Sequence, residues 1–397
     1  MDRFEGVVVV GGGAVGLTTA LALAQRDVPV KVLEAAPALV EEYRASTFHP
    51  PTLEMLDGLG LAAGMINQGL IADKLQYRDR RLGKVAEFDF GLLRDDTPYP
   101  FRVQIEQYAL AKAAYERLIA LPGASVEFEC PVSAIEQDTD EAILTIGTAS
   151  GTRLLSAPYV IGADGGTSAI RHSLDIAFEG MTYEDRYLVV FTKFPFHEHL
   201  TDLAYVNYVS DPREWFVLLR SPGLWRVLFP VQDETADAEL TLDAAVEERL
   251  QGIVAIPTPY PVIHRTPYRV HQRVAATYRK GRVLLAGDAA HVNNPLGGMG
   301  LNGGIHDAVR LSQALSGVWH RTLPDGELDT YSDERRGIAL AHVQAQTKQN
   351  AAAISQADSA ARERQQEELR ETAADPVRAR EYLLRVSMIA GLTKSNR

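Results

Sequence analysis

Cysteine is almost absent. Cys130 is the single thiol in 397 residues, so the chain has no internal disulfide and no thiolate metal cluster, which fits a reducing cytoplasm. The ten histidines contain no H-x-x-x-H pair, and His197 and His199 come nearest, as HEH in what reads as an exposed loop. No metal site is expected. The G-x-S-x-G elbow of serine hydrolases is missing. No apolar run approaches the ~20 residues that cross a bilayer. The N-terminal VVVVGGGAVGLTTALALA is broken by glycines and preceded by Asp2 and Glu5, which marks strand, turn and helix rather than a signal peptide. Basic residues are in deficit, and the net charge of −12 repels phosphate backbones. Nucleic acid is therefore not an expected partner, although Arg78, Arg80 and Arg81 form a local basic patch.

What is present reads as alternating α and β structure with a β-rich insertion. At ~100–200 residues per domain the length suggests two or three units. GVVVV (6–10) is a β-branched run of the kind buried on both faces, and LTTALALAQRD follows as a helix. VPVKVLE (28–34) is a second buried strand. His49-Pro50-Pro51 opens a helix. Residues 76–93 read as two strands joined at Leu82-Gly83, and 104–118 as a helix. From Tyr187 to Val231 the pattern is strongly β, which suggests an antiparallel sheet inserted between α/β portions. Residues 235–252 and 341–372 read as helical, and no internal repeat is visible.

Three segments place glycine and a carboxylate at a strand end. Gly11, Gly13 and Gly16 fit G-x-G-x-x-G between strand and helix. There the glycines allow a tight turn, close approach of a pyrophosphate, and helix-on-strand packing. Glu34 ends the second strand, where a carboxylate accepts ribose hydroxyls. This unit predicts a dinucleotide but does not choose between NAD and FAD. YVIGADGGTSAIR (159–171) brings Asp164-Gly165 to another strand end, and GDAAHVNNPLGGMGLN (287–302) brings Asp288 to a third. Each alone is also explained by a turn. Together they line the crevice at the carboxyl ends of an open α/β sheet.

In their order and spacing, GGGAVG, YVIGADGG and GDAAHVNNPLGGMGLN resemble the class A flavin-dependent aromatic hydroxylases, the family of para-hydroxybenzoate hydroxylase, over roughly residues 5–340. The resemblance implies an α/β fold with a Rossmann-like FAD-binding domain of the GR2 type, an inserted antiparallel substrate sheet and C-terminal helices. The expected division is 1–75, 101–180 and 273–340 for FAD binding, 76–100 and 181–272 for the substrate sheet, and 341–397 for the C-terminal helical segment. It further implies bound FAD, NADH or NADPH as a transient co-substrate, and O2 activated at the flavin C4a position to hydroxylate a small aromatic ring. Gly11, Gly13, Ala14, Val15 and Gly16 would hold the ADP part of FAD, with Glu34 on the ribose. Ala35 and Val132 are counted with them. Arg44 matches an arginine beside the pyrophosphate, and Gln107 a position flanking the ribityl chain. Asp164 and Gly165 match a pair linked to FAD and pyridine-nucleotide use, and Asp288 the aspartate on the ribityl hydroxyls. Pro295 and Gly300-Leu301-Asn302 match the loop against the isoalloxazine ring, and the helix after Gly300 aims its positive end there.

On the substrate side, Tyr208 falls nearest a substrate-contacting tyrosine of the family and Arg220 nearest an arginine that favours an acidic substrate. His49 is a candidate aid to phenol deprotonation. With Pro295 these form the expected catalytic set. Alternation puts Arg220 with Phe216 and Leu218 on one face, and Val217 and Leu219 on the other. Leu228 stands where the family's namesake has a tyrosine, which counts against para-hydroxybenzoate itself. A halogenase or an isoprenoid or quinone-precursor oxidoreductase is the alternative enzyme, and a non-catalytic flavin module the alternative binder. GLWRVLFPV lacks the W-x-W-x-I-P signature of halogenases. A cytoplasmic homodimer is expected.

Overall fold

Val7–Val10, none more than 5% exposed, form the centre of the computed structural model, which describes residues 1–149, 151–231, 235–343 and 359–392. Val30–Leu33 pairs with them in parallel on one side and Tyr159–Gly162 on the other. The six-stranded sheet runs Arg279–Lys280, Val283–Leu285, Tyr159–Gly162, Val7–Val10, Val30–Leu33, Ala124–Glu127, and all its pairs are parallel except at the Arg279–Lys280 edge. The chain therefore reverses its direction of strand addition beside Val7–Val10. The strands there leave a crevice at their carboxyl ends. Helix Ala14–Ala24 is buried on nearly every side, as its apolar composition requires, between helices Met299–Trp319 and Gln107–Leu118.

An eight-stranded sheet lies beside this layer, in the order His291–Val292, Val262–Ala275, Phe178–Thr192, Leu224–Val231, Phe216–Ser221, Val206–Ser210, Lys74–Asp79, Gly83–Asp89. It is not wholly antiparallel as expected. Val206–Ser210 and Lys74–Asp79 run parallel, because the chain reaches them from distant segments rather than through a hairpin. The two long strands Phe178–Thr192 and Val262–Ala275 pair from Phe178↔Ala275 to Thr192↔Val262 and carry the sheet away from the first layer.

Each face of the second sheet has its own core. Leu188, Val190, Phe216, Leu218 and Trp225 pack outward with Val246 and Leu250 of helix Asp243–Ile253. Tyr77, Tyr187, Tyr208, Val217 and Leu228 pack inward with Leu296 and with Ala379 and Leu383 of helix Pro376–Val386. The expected helix over 235–252 is two helices, Asp237–Leu240 and Asp243–Ile253. Of the segment 341–372, Ser359–Ala374 is helical, and 344–358 lies outside the described residues. No helix among the described residues is long and apolar enough to cross a membrane.

Candidate functional site: a cofactor crevice beneath a β lid

Two of the N-terminal glycines are demanded by packing and one by open space. A Cβ on Gly11, whose φ is +109°, would stand 2.3 Å from the Ala163 carbonyl oxygen, and one on Gly16 would stand 2.0 Å from that of Gly11. A Cβ on Gly13 would meet nothing within 4 Å. Gly13 precedes the helix opening Ala14-Val15-Gly16, where free N–H groups and the helix dipole suit an anion. The Val15 side chain packs against Gly287 and Gly304. Glu34 accepts from Gly12 N at 2.5 Å and from Ala36 N at 2.9 Å, which aims its carboxylate along the loop. Ala35 is exposed beside it. Cys130 N donates to the Glu34 carbonyl, which brings the start of strand Val132–Gln137 to the same end.

Arg44 lies on an exposed loop with its guanidinium on Glu42, while its carbonyl accepts from Arg226 of the lid. Gln107 N donates to Ala45 O at 3.0 Å, so the Gln107 helix starts beside that loop. Asp164 gives one oxygen to Ile170 N at 3.2 Å, so the turn explanation holds for that oxygen. The other, Oδ1, is buried without a partner. Gly165 follows at φ +82° over open space. Asp288 sits on the short turn Gly287–Ala289, open to the crevice, and no described residue hydrogen-bonds its carboxylate. It does not cap the turn. The protein crowded around it raises its pKa, against the pull of His291 and Arg44. Arg171, 2% exposed, donates to Ala289 O and Gly166 O and so staples the Asp164 loop to the Asp288 turn.

A left-handed pair, Gly297 at φ +86° and Gly298 at φ +66°, turns the chain from Pro295 into helix Met299–Trp319, with Gly298 N donating to Pro295 O. Gly300 faces open space and Leu301 is half-buried. The Asn302 side chain is engaged within the loop itself. Its amide accepts from His49 N and donates to Thr47 O and Gly298 O, so the side chain clamps the loop and fixes its backbone.

The lid brings a different set together. Tyr208, 5% exposed, stacks on Tyr77 with centroids 5.3 Å apart, and the Tyr77 and Tyr382 hydroxyls lie 2.6 Å apart. Arg102, 2% exposed, donates to Val386 O at 2.9 Å and leaves Nε without a partner. Among the described residues no carboxylate pairs with it; the acidic groups it feels are Tyr208, Tyr382 and Tyr77. Burial raises the Tyr208 phenol, opposed by Arg102 and the Gly297 backbone, which donate to its oxygen, so Tyr208 stays protonated and its O–H remains a donor.

Two expected catalytic residues are corrected. Arg220 is on the outer face, its guanidinium 5.0 Å from the Tyr205 ring and 5.8 Å from the Trp225 ring. In register Tyr208 opposes Val217 and Arg220 opposes Trp225, so pleating sends the two apart. His49 is completely buried, and desolvation followed by Arg102 holds its pKa well below the usual value. Its Nε2 donates to Gly297 O at 2.9 Å, leaving Nδ1 as a bare acceptor. It accepts a hydrogen bond but takes up no proton near neutral pH.

Arg102, Tyr77, Tyr382, Arg171 and Asp307 went unrecognised in the sequence. The available signal was a lone charge inside an apolar pattern: Arg102 opens a fully buried strand, Arg102–Gln104, and Asp307 sits between Ile305 and Ala308.

The donor set fits FAD. An Asp288 carboxylate that no described residue hydrogen-bonds, a buried lone oxygen on Asp164 and open cradles at Gly13 and Gly165 follow the carboxyl ends of the parallel strands Val283–Leu285, Tyr159–Gly162 and Val7–Val10, and Gly300 adds a further open cradle. An FAD-binding-domain family model matches residues 5–346. The chain is 36% identical over 400 residues to a para-nitrophenol 4-monooxygenase of Pseudomonas sp. (strain WBC-3), covering 98% of this chain and 97% of that one. The crystal structure of a p-nitrophenol 4-monooxygenase from Pseudomonas putida DLL-E4 superposes with a TM-score of 0.92 at 34% identity, covering 97% and 98% of the two chains. A ternary complex of aklavinone-11 hydroxylase with FAD and aklavinone gives 0.78 at 26% identity, over 89% of this chain and 70% of that one. The chain belongs to this FAD-binding family. Within it, the protein is a class A FAD-dependent aromatic monooxygenase that uses NAD(P)H and O2.

Proposed function

We propose that the substrate is a small phenol or hydroxylated heteroaromatic ring bound as its phenolate, with 4-nitrophenol the first compound to test. The observation that carries this is the buried Arg102 guanidinium without a carboxylate. A buried cation is costly unless paired, and an incoming phenolate is the missing anion. The para-nitrophenol 4-monooxygenases similar along the whole chain support the choice of compound.

In this reading Gly13, Ala14, Val15 and Gly16 hold the pyrophosphate with backbone N–H groups, and Glu34 the ribose, near Ala35 and Val132. Arg44, Gln107, Asp164, Gly165 and Asp288 flank the rest of the cofactor. Pro295, Gly300 and Leu301 offer backbone to the flat ring. Bound FAD supplies hydride acceptance from NAD(P)H and activation of O2. The chain's own task is to keep the phenol ionised, since an electron-rich ring accepts electrophilic oxygen best. Arg102 and the Tyr208 hydroxyl are both donors, and donors stabilise the charged oxygen. The neutral His49 adds no competing charge. The apolar inner face of the lid, with Val217, Leu228 and Leu296, excludes water. A cytoplasmic location, where NAD(P)H is available, and a homodimeric assembly are part of the same proposal, the assembly checked by light scattering.

The test is turnover by the purified FAD-loaded enzyme with 4-nitrophenol and with its methyl ether. Oxidation of NAD(P)H coupled to product is expected for the phenol, and neither binding nor coupled oxidation for the ether. Equal turnover of the ether overturns the phenolate reading.

A further inference from the structure

We propose that Asp307, engaged by Arg335 and His291, is a positioning residue for FAD: it holds the turn that carries Asp288 and thereby sets cofactor affinity. Asp307 is completely buried, on the third turn of helix Met299–Trp319. Its carboxylate accepts from three elements: Gly287 N in the turn at 3.1 Å, His291 Nε2 on the returning strand at 2.9 Å, and Arg335 Nε on helix Glu327–Ile338 at 2.6 Å. Arg335 also donates to Gly303 O at 3.1 Å, which ties its helix to the one that bears Asp307. Gly287 is the residue immediately before Asp288. It stands at φ +63°, and a Cβ there would meet Val15 at 3.1 Å. The turn is thus held between the N-terminal glycine loop on one side and the Asp307 carboxylate on the other. Moving that carboxylate moves Gly287, and the Asp288 side chain follows.

Stability alone is a weak account of the arrangement. A buried ion pair is often matched or exceeded by apolar residues of the same volume, and Ile305, Ala308 and Leu311 on the same helix are buried apolar residues. A fixed, charge-assisted bond to one backbone N–H supplies geometry that apolar packing does not. The position, directly under the turn that offers a free carboxylate to the crevice, is where such geometry matters.

This inference rests on Asp288 binding the cofactor's hydroxyls. The experiment is a double-mutant cycle read by FAD affinity, with apoprotein titrated with FAD and followed by flavin fluorescence, for wild type, Asp288→Ala, Asp307→Asn and the double variant. Asp307→Asn is expected to weaken FAD about tenfold. The double variant is expected to bind within about twofold of Asp288→Ala alone, because Asp307 acts through that residue. A general loss of structural integrity instead multiplies the two losses. Unchanged affinity in Asp307→Asn, or a double variant at the product of the single losses, overturns the inference while Asp288 keeps its role. Unchanged affinity in Asp288→Ala sinks that role and this inference with it. Circular dichroism of each apoprotein reports folding. If Asp307→Asn does not fold, His291→Phe, which keeps a flat ring and removes the Nε2 donor, enters the same cycle with the same expected non-additivity.

Discussion

Arg102 is a buried charge whose neighbours are the Val386 carbonyl, the Tyr208 hydroxyl and the Phe90 ring, with no carboxylate against it among the described residues. Its pKa is lowered by desolvation, yet arginine remains charged at any working pH. Replacing it with methionine, which has a similar reach, removes an unpaired buried cation. Arg102→Met is therefore expected to unfold at the same or a higher temperature than wild type while binding 4-nitrophenol roughly 10–100-fold more weakly, the value of one charged hydrogen bond. A variant that loses stability in a thermal scan but keeps substrate affinity contradicts the assignment. Gly16 makes the opposite case, because its constraint is steric. The Cβ of Gly16→Ala falls 2.0 Å from the Gly11 carbonyl oxygen, so backbone has to shift. Destabilisation of about 1–3 kcal/mol is expected by urea unfolding. A neutral result means that the helix and strand are held less tightly than the geometry says.

At the scale of elements, helix Pro376–Val386 lies outside the family match, which ends at 346, yet it reaches the substrate side. The Tyr382 hydroxyl shares a hydrogen bond with that of Tyr77, and the Val386 carbonyl accepts from Arg102. Tyr382→Phe leaves the buried Tyr77 hydroxyl without its partner. The expected cost is about 1 kcal/mol in urea unfolding, together with a raised KM for the phenol and unchanged FAD content. An unchanged KM would separate this helix from the site. The reach of this helix also shows where reading the chain stops. The strand-end motifs were legible because each is local: an apolar β-branched run, then glycine, then an acid. Arg102 and Val386 are 284 positions apart, and nothing near either one names the other. Alternation correctly grouped Arg220 with Phe216 and Leu218, but period two says which residues share a face and not which face meets the cofactor. The hidden bias was inward versus outward packing, settled by Leu250 and Val246 on one side and Leu296 on the other. His49 looked reactive because histidine titrates near neutrality, and burial beside Arg102 removes that property.

Across the whole molecule, buried neutral histidines tie stability to pH. Burial holds the His49 pKa well below that of a free histidine, and brings His306, against Thr52 Oγ1, down to about 3. In the unfolded chain both take a proton near 6.5. The unfolded state thus binds more protons below that pH, and folding stability falls as acid is added, by up to ~1.4 kcal/mol per pH unit for each histidine. Asp288 works the other way. Its raised pKa contributes stability at low pH that is lost as pH rises through the carboxylate range, which offsets part of the slope. Urea unfolding of the apoprotein at pH 7.5 and 5 is expected to differ by on the order of 3 kcal/mol, and by less in His306→Gln. A flat profile contradicts the burial of neutral rings. Both rings lie where helix Pro50–Gly58 packs on helix Met299–Trp319, His306 against Thr52 and His49 against the Gly297 carbonyl.

The central claim is that Arg102 receives the phenolate beside the flavin. It is tested most directly by the absorption spectrum of 4-nitrophenol bound to the FAD-loaded enzyme, buffered below the compound's solution pKa with NAD(P)H absent. The account predicts the phenolate band on binding to wild type and its loss in Arg102→Met. Binding of the neutral phenol by wild type, or an unaltered phenolate band in the variant, would contradict it.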